Sequence, residues 1–172
     1  MGRLSDAQDR SFEEAFDELF RRATASARRI LGDVSRAEDA AAEALARAYS
    51  RWDEIEHLAH RDAWVLRVAM NLALDQTRRK VPWLRVIRID DRSDEAALRL
   101  ALVAALGTLP KRQREAIALR YLTDLPEAEV AAALRVSVGT IKTHLHRGVA
   151  SLRERLGPDL ELGEVRDADT AS

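Results

Sequence analysis

The sequence predicts an all-α chain: two small helical domains joined by a linker, the C-terminal one a helix-turn-helix. Three observations carry that prediction. Apolar residues recur at three- and four-residue spacing in both halves of the 172 residues. No segment alternates convincingly as a strand, apart from a short region at Val86-Arg88-Asp90. Residues 81–93 (VPWLRVIRIDDRS) interrupt the helical pattern midway.

The elements follow in order. Phe12, Phe16, Leu19, Phe20, Ala23, Ala27, Ile30 and Leu31 share one helical face, and Gly32-Asp33 ends that helix. Ser35-Arg36-Ala37-Glu38 has the spacing of a capping box, so a second helix is expected from there to about Trp52. Its stripe of Ala41, Ala44, Leu45, Ala48 and Trp52 buries little surface per residue, which requires a close neighbour or a partner. Residues 53–60 are expected to be a loop. A third helix, Arg61–Lys80, carries Trp64, Val68 and Leu72 at four-residue spacing and is stopped by Pro82. That register places Trp64 in the core.

After the break, a helix from about Asp94 presents Leu98, Leu102, Ala105 and Leu106, with Gly107 as its expected C-cap. Pro110 suits the first position of a helix running to about Tyr121. A short helix near Pro126–Leu134, a turn at Arg135-Val136-Ser137 and a last helix over Val138–Leu156 complete the pattern, with Ser137 as N-cap. The expected division is 1–80, a linker at 81–93, 94–156, and an acidic, disordered tail at 157–172. Domains this small bury only about 60% of their unfolded surface, so both would gain from a larger partner.

Composition excludes several function classes. Cysteine is absent, which removes disulfides, thiolate metal sites and cysteine nucleophiles. No apolar run approaches the roughly 20 residues of a membrane span, so no membrane insertion is expected. No nucleophile–base motif or glycine-rich phosphate loop is present, and His57/His60 and His144/His146 lack the companions of a metal site. No catalytic residue, cofactor or metal ligand is assigned.

The informative constellation lies near the C-terminus. Helix, three-residue turn, helix is the geometry of a major-groove reader. Val130 and Leu134 would face the core from the first helix, and Ile141, Leu145 and Val149 from the second. The other side of the second helix presents Thr140, Lys142, Thr143, His144, His146 and Arg147, donors suited to base edges and phosphates. The free N–H groups at its start, beside Ser137, add a phosphate site. The solvated face of an ordinary helical hairpin fits this pattern equally well.

The stretch Leu109–Leu156 (LPKRQREAIALRYLTDLPEAEVAAALRVSVGTIKTHLHRGVASLRERL) resembles the promoter-reading C-terminal domain of extracytoplasmic-function (ECF) sigma factors, and Ser137–Arg147 is its most specific part. FEEAFDELFRRATASARRILGD, AEDAAAEALARAYSRW and AWVLRVAMNLALDQTRRK resemble the family's promoter-melting domain, in the right order. The resemblance implies a bacterial, cytoplasmic initiation subunit that is not itself an enzyme. Its implied partners are core RNA polymerase, through the β′ clamp helices and the β subunit, and promoter DNA; an anti-sigma factor remains an open question. By motif, Asp39, Glu43 and Arg47 are implied to contact polymerase. The third helix and the loop before it are implied to bind the minus-ten element as single strand. Asn71 matches the family's asparagine there, and Arg67, Arg78, Arg79 and Lys80 are candidates for its phosphates. The basic run 78–80 also complements the helix dipole. Lys142, Thr143 and Arg147 match the family's minus-thirty-five contacts, and Ser137, Thr140 and His144 join them on the same helix. The linker, with Trp83 and Arg85, resembles the segment threaded through the polymerase channel.

Several positions depart from the family pattern. Ala42 replaces a common glutamine on the polymerase-binding helix. Pro126 replaces a serine cap, for which Asp124 or proline's preset φ would substitute. Arg135 replaces a turn glycine, and a positive φ there would strain it by about 1 kcal/mol. His144 replaces a common arginine, and Gly148 an alanine at a cost of roughly 1 kcal/mol. The rival reading is a self-contained, dimeric duplex-binding regulator, but the chain has no coiled-coil heptads for a two-fold interface. The net charge of −1, unexpected for a DNA binder, conceals segregation. Residues 61–92 carry 8 basic and 4 acidic groups, and residues 111–156 carry 9 and 5. Acid gathers at the two ends.

Overall fold

The computed structural model describes residues 2–80 and 95–157, with side chains described over 8–77 and 96–157. The expected linker, the Pro82 stop, the strand-like Val86–Asp90 and the acidic tail beyond Gly157 lie outside the described residues. Within them the chain is helical: α1 (Gly2–Leu31), α2 (Val34–Tyr49), α3 (Trp52–Ile55), α4 (Arg61–Lys80), α5 (Glu95–Thr108), α6 (Lys111–Ile117), α7 (Glu127–Leu134) and α8 (Val138–Leu156). A π-helical turn, Ala118–Leu122, continues α6.

α4 and α8 have the expected bounds, but four local expectations are corrected. α1 starts at Gly2 rather than near Phe12. The cap of α2 is Asp33, whose carboxylate accepts from Arg36 N–H at 2.8 Å, and Ser35 already lies inside the helix. Gly32 explains the shift. Its φ of +67° ends α1 in a left-handed turn, so the next residue is the one left extended and able to cap. The expected 53–60 loop contains α3, and Trp52 opens it instead of ending α2. Gly107 lies within the last turn of α5, not beyond it.

Alanine sets the spacing of the N-terminal unit. Ala37, Ala40, Ala41, Ala44 and Ala48 of α2 are fully or almost fully buried, as are Ala23 and Ala27 of α1. Small side chains let α1, α2 and α4 approach closely, and Leu19, Leu45, Leu66 and Met70 fill the space between them. Trp52 closes one end, meeting Phe12 edge-on at 4.9 Å. In the C-terminal unit Leu106, Ile117, Leu119, Leu125, Leu134, Ile141 and Leu152 are the large, fully buried side chains. Leu98 of α5 was expected on the buried face, yet it is exposed; Ala101, Val103, Ala105 and Leu106 are the α5 residues enclosed, with Leu109 just beyond it.

The two units are packed against each other, and one apolar cluster runs through both. α4 touches α5, α7 and the π-turn, and α1 touches α5. Arg99 of α5 lies directly over Gly32, its guanidinium occupying the space a Cβ would need. Arg29 of α1 donates to the Leu122 carbonyl at 2.6 Å and pairs with Asp124 at 3.1 Å. The small units thus complete their burial on one another.

Candidate nucleic-acid interface

The C-terminal helix pair has the expected helix-turn-helix form. Val130, Leu134 and Ile141 are buried between α7 and α8, with Leu145 beside them. Ser137 accepts from Thr140 N–H at 3.1 Å, which satisfies one free donor at the start of α8. Its hydroxyl also meets the Thr140 hydroxyl at 2.8 Å. Arg135 turns the chain with φ 56° and ψ 47°, the left-handed conformation expected to strain it. Pro126 caps α7 without a side-chain bond, its φ of −64° already set for the helix. Asp124 does not cap; it pairs with Arg29 instead.

Lys142, Thr143, His146 and Arg147 project into solvent from one side of α8, and Thr140 is half-buried beside them. Thr143 donates back to the Gly139 carbonyl at 3.0 Å and stays exposed. Lys142 lies 3.8 Å from Glu127. His144 is half-buried, and its Nδ1 is enclosed with no protein partner. Gly148 has a packing reason: a Cβ there would stand 3.0 Å from Ile117 Cγ1, in a closed core.

In the N-terminal unit, the segment before α4 is anchored by a chain of bonds. Trp52 Nε1–H donates to Ser11 Oγ at 2.7 Å, and Ser11 donates to Glu56 at 2.6 Å. Arg22 holds Asp62 at 2.6 Å, and Arg61 lies over the Trp52 ring at 5.3 Å. Between these anchors His57, Leu58 and Ala59 stand exposed. Trp64, Val68 and Leu72 are half-buried rather than enclosed, so Trp64 borders the core instead of filling it. Arg67 and Asn71 share that face of α4 by helical register. Asn71 Nδ2 donates to Glu115 Oε1 at 3.2 Å, and Arg67 donates to the Ala133 carbonyl at 2.9 Å. Arg78, Arg79 and Lys80 occupy the last turn of α4, and their side chains lie outside the described residues.

On α2, Asp39, Ala42, Glu43 and Arg47 form an exposed stripe opposite the alanine face. Arg47 pairs with Glu43 at 2.8 Å, one helical turn away. Tyr49 continues toward the helix end and donates to Asp9 at 2.6 Å, which pushes its phenol above the usual range.

The comparisons decide what these surfaces belong to. Residues 15–81 match the family model described as sigma-70 region 2, and residues 99–152 match sigma-70, region 4. An RNA polymerase sigma-E factor of Streptomyces coelicolor is 38% identical over 137 residues, covering 76% of this chain and 77% of that protein. The ECF RNA polymerase sigma factor SigL of Mycobacterium tuberculosis is 35% identical, with 80% and 82% covered. SigW of Bacillus subtilis is 31% identical, with 74% and 79% covered. This chain belongs to the ECF RNA polymerase sigma factors. Its fold also matches the sigma factor RpoE of Bartonella quintana, solved in complex with the anti-sigma factor NepR. The TM-score is 0.58 at 24% identity, over 86% of this chain and 98% of that one.

Promoter recognition and initiation of transcription with RNA polymerase are the work of this sigma factor family. Both matched regions fall on the two helical units, and no helix among the described residues is long and apolar enough to cross a membrane. Sequence reasoning about the sigma factor overlooked Glu115. It is 2% exposed and also accepts from Arg112 at 3.3 Å. An acid one turn into a basic helix reads as solvated, and only the approach of α4 reveals its role. Arg29 and Arg99 were overlooked for the same reason: their partners are in the other half of the chain.

Proposed function

We propose that this ECF sigma factor reads the minus-thirty-five element with α8 and the minus-ten element with α4 and the segment before it, while the α2 stripe docks on core polymerase. The domain bounds that accompany this are 1–80 and 94–156, with 81–93 as the connection and 157–172 as an acidic tail. The observation carrying the reading is the division of α8: apolar residues are buried on one side, and Lys142, Thr143 and Arg147 are solvated on the other. Ser137, Thr140 and His144 frame that face. A recognition helix needs this arrangement, because base edges are reached only by side chains that the fold itself does not use. The stripe of Asp39, Glu43 and Arg47 supports polymerase docking in the same way. Arg67, Asn71, Arg78, Arg79 and Lys80 are assigned to the minus-ten strand. The sigma factor acts by binding and positioning, not by catalysis, and does so where polymerase is, in the bacterial cytoplasm.

The test is transcription from a matched promoter with purified core enzyme. Lys142→Ala and Arg147→Ala should each lower transcription about tenfold on a promoter that depends on its minus-thirty-five element, since a good base contact contributes ~1–3 kcal/mol. Asn71→Ala should leave the footprint upstream and reduce permanganate reactivity at the melted region. Unchanged footprints and reactivity in all three variants would refute the assignments.

A further inference from the structure

α7 and α8 are joined through a residue whose backbone has little freedom. The Val136 N–H bonds to the Ala131 carbonyl at 3.0 Å, and the Arg135 N–H to the Ala132 carbonyl at 3.2 Å. Together these bonds close α7, and both depend on Arg135 being left-handed, at φ 56° and ψ 47°. Glycine adopts that conformation without a Cβ penalty; arginine does not.

Among the described residues, Asp124 and Arg135 are the non-glycine residues with positive φ. They differ in what their side chains do. The Asp124 carboxylate is used by the fold, pairing with Arg29 at 3.1 Å. The Arg135 side chain is exposed, and among the described residues its guanidinium has no hydrogen bond or ion pair. No contact of that side chain within the described chain offsets the strain. A strained residue whose side chain the fold leaves free points to a ligand outside the fold. A guanidinium is always charged, and its planar fork of donors matches the oxygens of a phosphate.

The place of Arg135 in the fold says where that phosphate would be. Arg135 stands two residues before Ser137, the N-cap of α8. Two residues span at most about 7 Å. The start of a recognition helix enters a major groove roughly 12 Å wide, walled by the two sugar–phosphate strands. We propose that Arg135 is a phosphate anchor, its guanidinium gripping the DNA backbone at the edge of the minus-thirty-five major groove. The proposal rests on the assignment of α8 to that element. Lys142, Thr143 and Arg147 face the bases along α8, while Arg135 holds the wall and fixes the angle at which the helix enters. The two bonds that pin its backbone also fix the direction in which its side chain leaves. Binding then has to order only the side chain, not the turn.

The test uses the full-length chain and two duplexes, one with a matched minus-thirty-five element and one with a single base pair of it replaced. Arg135→Gly removes both charge and strain, Arg135→Gln removes the charge and keeps the strain, and Arg135→Lys keeps the charge. Glycine suits the turn, so that variant retains the fold. Affinity for each duplex is followed by fluorescence anisotropy across a salt series. Arg135→Gly and Arg135→Gln should each make the slope of log affinity against log salt shallower by about 0.9. The ratio of parent to variant affinity should then grow about 3.5-fold as salt falls from about 200 to 50 mM. Both duplexes should weaken by the same factor, because a phosphate contact carries no sequence information. Arg135→Lys should keep the parent slope. An unchanged slope in the glycine and glutamine variants overturns the proposal. So does a loss confined to the matched duplex, which would make Arg135 a base reader. Lys142→Ala and Arg147→Ala report on the underlying assignment separately. If they leave affinity and discrimination between the duplexes unchanged, α8 is not the reading helix and the anchor falls with it. If they reduce discrimination while the Arg135 variants keep the parent slope, the anchor alone is refuted.

Discussion

Arg135 shows what one residue concedes to the reader's geometry. The turn between α7 and α8 needs a left-handed residue, and arginine occupies it at φ 56°. Its N–H still closes the helix end onto the Ala132 carbonyl at 3.2 Å, so the turn is formed at the expense of local strain. Arg135→Gly should stabilise the protein by about 1 kcal/mol, seen as a higher urea midpoint at unchanged m-value. A lower midpoint would mean that the arginine side chain contributes more than its backbone costs. The sequence identified this position as a substituted glycine, with the strain conditional on φ. It did not explain Gly148, which looked like a simple loss of helix propensity. The reason is Ile117, itself 1% exposed and unable to retreat from an added Cβ.

At the scale of elements, α4 and α8 were legible because each has unambiguous punctuation. α8 has Ser137 before it and Gly157 after it. The start of α2 was read from the Ser35–Glu38 spacing, with Gly32-Asp33 assigned to the end of the preceding helix. The connection decided otherwise: only Gly32 and Asp33 separate α1 from α2, so the first residue past the left-handed glycine must cap. Asp33→Ala should therefore cost about 1 kcal/mol, whereas Ser35→Ala should stay within about 0.5 kcal/mol of the parent. Equal losses in thermal or urea unfolding would show that the hydroxyl contributes as much as the carboxylate. Of the candidate site, the exposed faces of α2 and α8 were legible from periodicity joined to family resemblance. α4 was only half legible. Its Trp64, Val68 and Leu72 stripe was read as core of its own unit, and it is a half-buried border beside a long-range junction that no local pattern encodes.

The whole molecule turns on how charge is distributed. A net charge of −1 gives no general attraction to DNA, and the C-terminal unit supplies a local one. On the outer side of its reader, Arg135, Lys142 and Arg147 are exposed, and Lys142 already has Glu127 at 3.8 Å to give up on binding. Arg67 of α4 is turned toward Glu115 rather than outward, so it adds little to the cationic surface. The polymerase-free chain should thus bind a minus-thirty-five duplex weakly, through about two or three phosphates. Each phosphate neutralised contributes about −0.9 to the slope of log affinity against log salt, so the slope should lie near −2 to −3. Fluorescence anisotropy across a salt series measures it directly. Lys142→Ala should make the slope shallower by about 0.9 if its ammonium neutralises a phosphate in place of Glu127. A slope near −6 or steeper would mean that the second basic block, residues 61–92, also contributes in the free chain.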